Sequence, residues 1–237
     1  MKIKTIAAAI CILSSSCAPV YIPNAVNSPL FGEQGEMHIN AQAGTNGLDL
    51  QTAYAVAPHF ALMLNGSYMN ESSDDPEFSD YHKHLFGEAG LGFYTALRGA
   101  GRFEIYGGLG MGEAISYDEY LFFEIPQALR ARGQYHRAFL QTGIGASTDI
   151  FDGGFVVRAA YVRFNHFTAD YLDDTLQKDV TEDNFYFEPV LYARIGWKWI
   201  KFQIQGGLSF PMTEESVLEH QPFLINMGLA FHFQTFK

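Results

Sequence analysis

From Glu36 to the C-terminus, apolar residues recur at every second position, and that period belongs to strands rather than helices. In 185–200, Phe185, Phe187, Pro189, Leu191, Ala193, Ile195, Trp197 and Trp199 share one face. Tyr186, Glu188, Val190, Tyr192, Arg194, Gly196 and Lys198 share the other. At the C-terminus, Phe223, Ile225, Met227, Leu229, Phe231 and Phe233 oppose Leu224, Asn226, Gly228, Ala230, His232 and Gln234. The pattern predicts ten strands at about 36–45, 47–57, 60–70, 84–97, 102–117, 137–150, 155–170, 185–200, 201–212 and 222–237. Thr45-Asn46-Gly47 marks a tight hairpin. Apart from that hairpin, short and long connections alternate.

Alternation alone does not say whether the apolar face is a dry core or a lipid-facing surface. A soluble β-sandwich and a membrane barrel share the period with the sides exchanged. Three features favour lipid. The polar faces carry Gly, Ala, Ser, Gln and Asn, as a crowded lumen does, rather than Lys and Glu. Large aromatics gather towards strand ends, where interface girdles would lie. The strands run to ~10 residues or more, against ~5–6 in soluble domains. An up-and-down barrel with an even strand count returns both ends to one side, the side of the short turns. The expected architecture is therefore an all-β, antiparallel, up-and-down transmembrane β-barrel of about ten strands, eight being the alternative. No apolar run of ~20 residues suits a membrane-spanning helix. The net charge of −11 excludes nucleic acid as a natural partner.

The N-terminus carries a different signal. Lys2 and Lys4 precede an apolar run from Ile6 to Leu13, followed by Ser14, Ser15, Ser16 and Cys17, which is the order of a secretory signal. Leu13-Ser14-Ser15-Ser16-Cys17 resembles the lipobox of bacterial lipoproteins in its relaxed, Bacteroidota-like form. It departs in having Ser14 at the third position before the cysteine, where leucine is usual. The resemblance implies removal of residues 1–16 and acylation of Cys17, for instance with palmitate. Cleavage after Ala18 is the alternative, disfavoured because Pro19 would then lead the mature chain. Pro19, Pro23, Pro29, Asn24, Asn27 and Ser28 disfavour helix and central strand, so 17–35 reads as a lipidated tether before a barrel domain at 36–237. In some Bacteroidota lipoproteins an acidic cluster after the cysteine directs export to the surface; none follows Cys17, so the resemblance implies an anchor in the periplasmic leaflet.

On the last strand, Asn226, Gly228, Phe231 and Phe233 match every constrained position of the signal read by the barrel-assembly machinery: polar, any, glycine, two of any, aromatic, any, aromatic. The chain departs from it in continuing to Lys237. With this motif, 36–237 resembles the small outer-membrane β-barrel proteins of Gram-negative bacteria. That resemblance implies outer-membrane lipids and lipopolysaccharide as surroundings and the assembly machinery as a transient partner. It carries no catalytic residues and no cofactor.

Several side chains are candidates for chemistry. Glu88, Glu104, Glu188, Arg158 and Arg194 fall on the polar face and are expected to form a lumen charge network, because unpaired buried charge is costly. His82 and His84, two apart, could share a face and hold a metal, but no third ligand is evident. His82, His84, His136, Ser67 and Ser116 near the outer rim lack the spacing of a catalytic triad. Glu71, Asp74, Asp75, Glu77 and Asp80 make one connection acidic, and Asp173, Asp174, Asp179, Glu182 and Asp183 make another; carboxylates there suit divalent-cation bridging to lipopolysaccharide. Segment 118–136, with apolar Tyr120, Leu121, Phe122, Phe123 and Ile125 and a short helix expected from Pro126 to Arg132, reads as a loop that plugs the barrel or binds a partner. The function expected is structural or binding and not enzymatic. The alternatives are a narrow channel or transporter, a lipid A-modifying barrel enzyme, and a soluble periplasmic β-sandwich lipoprotein.

Overall fold

The structure, a computed structural model, describes residues 19–74, 79–122, 125–171, 182–213 and 220–234. The strands are β1 (Glu36–Gly44), β2 (Gly47–Ala57), β3 (Phe60–Asp74), β4 (Ser79–Ala96), β5 (Gly101–Phe122), β6 (Ile125–Ser147), β7 (Phe151–Tyr171), β8 (Glu182–Trp197), β9 (Ile200–Leu208), β10 (Phe210–Pro211) and β11 (Phe223–Gln234). Successive strands pair antiparallel. β1 joins β11 from Glu36↔Gln234 to Gly44↔Asn226, and β9 joins both β11 and β8, so the sheet closes on itself. β10 resumes the line of β9 after Ser209 and pairs Phe210 with Phe187. Counting β9 and β10 as one stave gives the ten-stranded, closed antiparallel barrel. Closure removes every long exposed edge and excludes the sandwich alternative, which needs two packed sheets.

The rim at which Glu36 and Gln234 lie is called the lower rim. The β2–β3, β4–β5, β6–β7 and β8–β9 turns share it, and the other connections form the upper rim. In the β1–β2 turn Gly47 has φ +88°, and a Cβ there would lie 2.4 Å from the Tyr68 carbonyl oxygen, so only glycine fits.

The pleat sorts the residues cleanly. Outward-pointing Leu109, Leu191, Trp197 and Trp199 are 72%, 64%, 73% and 61% exposed, and Leu50, Leu64, Leu91 and Leu140 face outward with them. Inward-pointing Glu88, Glu104, Arg137, Arg158, Glu188 and Arg194 are 1–4% exposed. A contiguous apolar exterior of this kind is far larger than the patches soluble monomers tolerate. Polar inside and apolar outside is the arrangement of a barrel whose solvent is lipid.

The barrel wall is uneven. β1 has 9 residues, whereas β5, β6 and β7 have 22, 23 and 21. The β5–β6 ladder continues unbroken from Gly101↔Ala146 to Phe122↔Ile125. Segment 118–136 is thus a projecting hairpin, not a loop, and the helix expected from Pro126 is strand. The reason lies in the outward face. Above the apolar belt it turns polar, with Arg130, Arg132 and Gln134 exposed and Arg132 paired to Glu113 at 2.5 Å, while Ala131, Gly133 and Tyr135 still point inward. The apolar signal ends where the belt ends, and the strand goes on. β3 and β4 likewise run into the expected loop 71–83. Tyr120–Ile125, Asp75, Glu77, Asp173, Asp174 and Asp179 lie outside the described side chains.

Candidate functional site: a lumen occupied by the N-terminal segment

The largest departure from expectation is the segment read as a tether. Residues 20–31 run inside the barrel, and Val20, Tyr21, Ile22, Asn24, Ala25, Val26, Asn27, Ser28, Leu30 and Phe31 are each no more than 3% exposed. The prolines do keep the segment out of the sheet. Its backbone polar groups must then find other partners, since an orphaned buried amide costs as much as a lost hydrogen bond. The inward side chains of the wall supply them at three levels.

At the upper level, the Tyr21 ring stacks on Tyr186 at 4.3 Å and meets Tyr135 edge-on at 5.9 Å. Val20, Phe86, Val162 and Phe164 complete that aromatic cluster. The Tyr21 hydroxyl donates to Glu188 Oε1 (2.9 Å), and the Gln221 amide donates to the Tyr21 carbonyl (2.9 Å).

At the middle level, Asn24 is gripped from several sides. Arg158 donates to its side-chain oxygen and to its carbonyl, both at 2.9 Å, and Arg137 donates to the side-chain oxygen at 2.8 Å. The Asn24 amide donates to Glu88 Oε1 (3.1 Å). Below it, Gln51 donates to the Ala25 carbonyl (2.6 Å), Gln205 accepts from Val26 N–H (3.1 Å) and Gln141 donates to the Asn27 carbonyl (2.7 Å).

At the lower level, Ser28 is hydrogen-bonded to Glu104 and lies 2.7 Å from the Tyr192 hydroxyl, and Arg194 donates to its carbonyl (2.6 Å). Leu30 takes φ +56°, a left-handed conformation costing about 1–2 kcal/mol. Its N–H donates to Glu104 Oε2 (3.0 Å), which holds the kink.

Most of the buried charges are paired locally. Glu88 pairs with Arg137, Glu188 with Arg158 at 2.5 Å, and Asp152 with Lys201 at 2.6 Å, with Arg194 3.9 Å from Asp152. A buried pair is stabilising only when its remaining donors and acceptors are satisfied, and here Asn24, Asn65, Ser147 and Tyr21 do much of that. The five residues expected in the lumen network are all in the lumen. Glu104 differs from the rest: it accepts from the N-terminal segment rather than from an arginine.

Sequence reasoning missed Arg137, Asp152, Lys201 and Asp49 on the wall, and Tyr21, Asn24 and Ser28 in the segment. A signal for the segment existed: between Lys4 and Glu33 there is no charged residue, which is a poor composition for a solvated tether.

The three histidines singled out in the sequence, His82, His84 and His136, do not converge. His84 Nε2 lies 2.7 Å from the Tyr135 hydroxyl inside the lumen, His82 Nδ1 is 2.9 Å from Ser116 Oγ, and His136 points outward. Ser67 is 3.5 Å from Asn46. Among the described residues no group of three His, Cys, Asp or Glu could hold a metal. On β11, Asn226 is buried and donates to Asp49 at 3.1 Å, and Phe231 and Phe233 stack at 6.4 Å with Phe233 facing outward. A Cβ at Gly228 would lie 2.0 Å from the Ala41 carbonyl oxygen across the β1–β11 seam. Beneath the lumen segment a recess of about 440 Å³ opens at the lower rim, lined by Leu30, Arg102, Lys198, Lys201, His232 and others.

Fold and site together define a closed β-barrel with an apolar exterior and a lumen filled by its own N-terminal segment. Among solved structures, the chain is similar to CarO of Acinetobacter baumannii, at 9% identity over 87% of this chain and 100% of that one, with a TM-score of 0.37. A. baumannii CarO2 matches at 10% identity over 85% of this chain and 100% of that one, with a TM-score of 0.28. No family model and no curated protein matches the sequence.

Proposed function

We propose that the protein is a lipid-anchored outer-membrane β-barrel with a structural or binding role and no catalytic activity, occluded by residues 20–31. The observation that carries the membrane reading is the reversal of faces, with leucine and tryptophan outside and ion pairs inside. The occupied lumen weighs against the channel alternative. A ten-stranded barrel is little wider than the eight-stranded kind that side chains alone fill, and here the extra width is taken by one more length of chain. Of the rim candidates His82 and Ser116 meet at 2.9 Å, whereas His84 bonds the Tyr135 hydroxyl inside the lumen and His136 points outward, so the five do not gather into one constellation, which supports a non-enzymatic role. Acylation at Cys17 adds membrane affinity without a spanning helix.

The test replaces residues 1–17 with a signal peptide that is cleaved without lipidation. The barrel is expected to remain in the membrane pellet after carbonate extraction and to migrate faster unheated than heated. Release into the soluble fraction would overturn the membrane reading. Separately, Cys17→Ala is expected to abolish palmitate labelling, and unchanged labelling would remove the anchor.

A further inference from the structure

The lumen segment has a direction. Gly32 lies at the lower rim, where its N–H donates to Glu36 Oε2 (2.8 Å) at the start of β1. Going backwards along the chain, Ser28 meets Glu104 and Arg194, each a few residues above the lower turns. Asn24 meets Glu88, Arg137 and Arg158 at mid-height. Tyr21 meets Tyr135 and Tyr186 higher still. There the Tyr21 backbone bridges in parallel to His220, in the connection between β10 and β11. Gln221 ties this point to the rim: its backbone N–H donates to the Tyr21 carbonyl at 2.9 Å, and its side chain donates to the Thr45 carbonyl of the β1–β2 turn at 3.2 Å. Tyr21 therefore sits level with the upper rim of the short wall. The segment crosses the barrel from upper rim to lower rim before β1 begins.

From this we infer that the mature N-terminus, and any acyl group on Cys17, lies at the outer face of the membrane and not in the periplasmic leaflet. The inference rests on the outer-membrane reading, with the short turns towards the periplasm. The reach of the chain decides it. Cys17 is four residues before Tyr21, and four residues fully extended span at most ~14 Å. The apolar band of an outer-membrane barrel is ~25 Å tall. A chain leaving the upper rim at Tyr21 cannot return an acyl group at Cys17 to the opposite leaflet. The placement expected from the missing acidic cluster is thereby reversed.

Three single-site reporters test this in cells: a short protease site inserted between Ala18 and Pro19, one inserted in the β7–β8 connection, and one after Lys237. Each variant is checked for heat-modifiable migration before protease is added to intact and to permeabilised cells. The expected result is cleavage in intact cells at the first two sites, as complete as in permeabilised cells, and protection of the third until permeabilisation. Protection of the Ala18–Pro19 site with cleavage of the β7–β8 site overturns this inference and leaves the outer-membrane reading standing. Protection of the β7–β8 site, or cleavage after Lys237 in intact cells, contradicts the outer-membrane reading itself. If the insertion before Pro19 prevents folding, Pro19→Cys labelled with a membrane-impermeant maleimide on intact cells replaces it: labelling supports the inference, and labelling only after permeabilisation overturns it.

Discussion

The two faces of one strand obey different rules in this barrel. On β8 the outward row Phe187, Leu191, Ile195 and Trp197 is defined only by being apolar, and each side chain is 41–73% exposed. The inward row Tyr186, Glu188, Tyr192 and Arg194 is defined residue by residue. Glu188 holds Arg158 and Tyr21, Tyr192 meets Ser28, and Arg194 holds the Ser28 carbonyl and Gln203. A lipid-facing position asks for a class of side chain. A lumen position asks for a particular set of donors and acceptors, because buried polar groups left unpaired are costly. Specificity in this molecule therefore lies inside, in the match between wall and N-terminal segment.

Breaking the inner face should have the largest effect. Arg158→Ala leaves Glu188 without its ion-pair partner and removes two bonds to Asn24. Removing one member of a buried pair costs about 3–5 kcal/mol, to be read as a lower midpoint in urea unfolding from lipid. A loss as small as that of an outward Leu→Ala change would mean the lumen is not tightly packed.

The outer face is sharpened by contrast. Leu191→Arg, near mid-height of β8, should cost about 2–4 kcal/mol, whereas Leu191→Phe should leave the unfolding midpoint almost unmoved. Equal tolerance of both substitutions would place Leu191 in water.

The smallest expected effect separates recognition from stability on the outer face itself. Phe233 and Phe202 are both outward and each 47% exposed, so their truncation should change lipid contact alike. Phe233 also ends the pattern of Asn226, Gly228 and Phe231 that resembles an assembly signal. Phe233→Ala should slow the appearance of heat-modifiable barrel in pulse-chase membranes more than Phe202→Ala does. Equal rates would remove that motif as an assembly signal.

Much of this was legible in the sequence for one physical reason: the pleat forces period two, and lipid forces that period to appear as hydrophobicity. Leu191 and Tyr192 could therefore be assigned to opposite faces from spacing alone. The signal fails where lipid ends. Arg130 and Arg132 face water on a strand that continues, so the β5–β6 hairpin read as a loop. It fails again for the N-terminal segment, whose prolines rule out regular structure but are equally compatible with a tether and with a filled lumen. Partners such as Asn24 with Arg158, or Ser28 with Glu104, are separated by 134 and 76 residues and leave no mark in local pattern. Only the absence of charge from Thr5 to Gly32 hinted that the segment is buried.

Occlusion of the barrel by its own N-terminal segment can be read as ion conductance. Purified protein in planar bilayers is compared with a variant lacking residues 19–31, and with Asn24→Ala in case the deletion does not assemble. A quiet bilayer is expected for the intact chain, with discrete conductance steps for the deletion and brief, flickering steps for Asn24→Ala. Steady conductance by the intact protein, equal to that of the deletion, would contradict it.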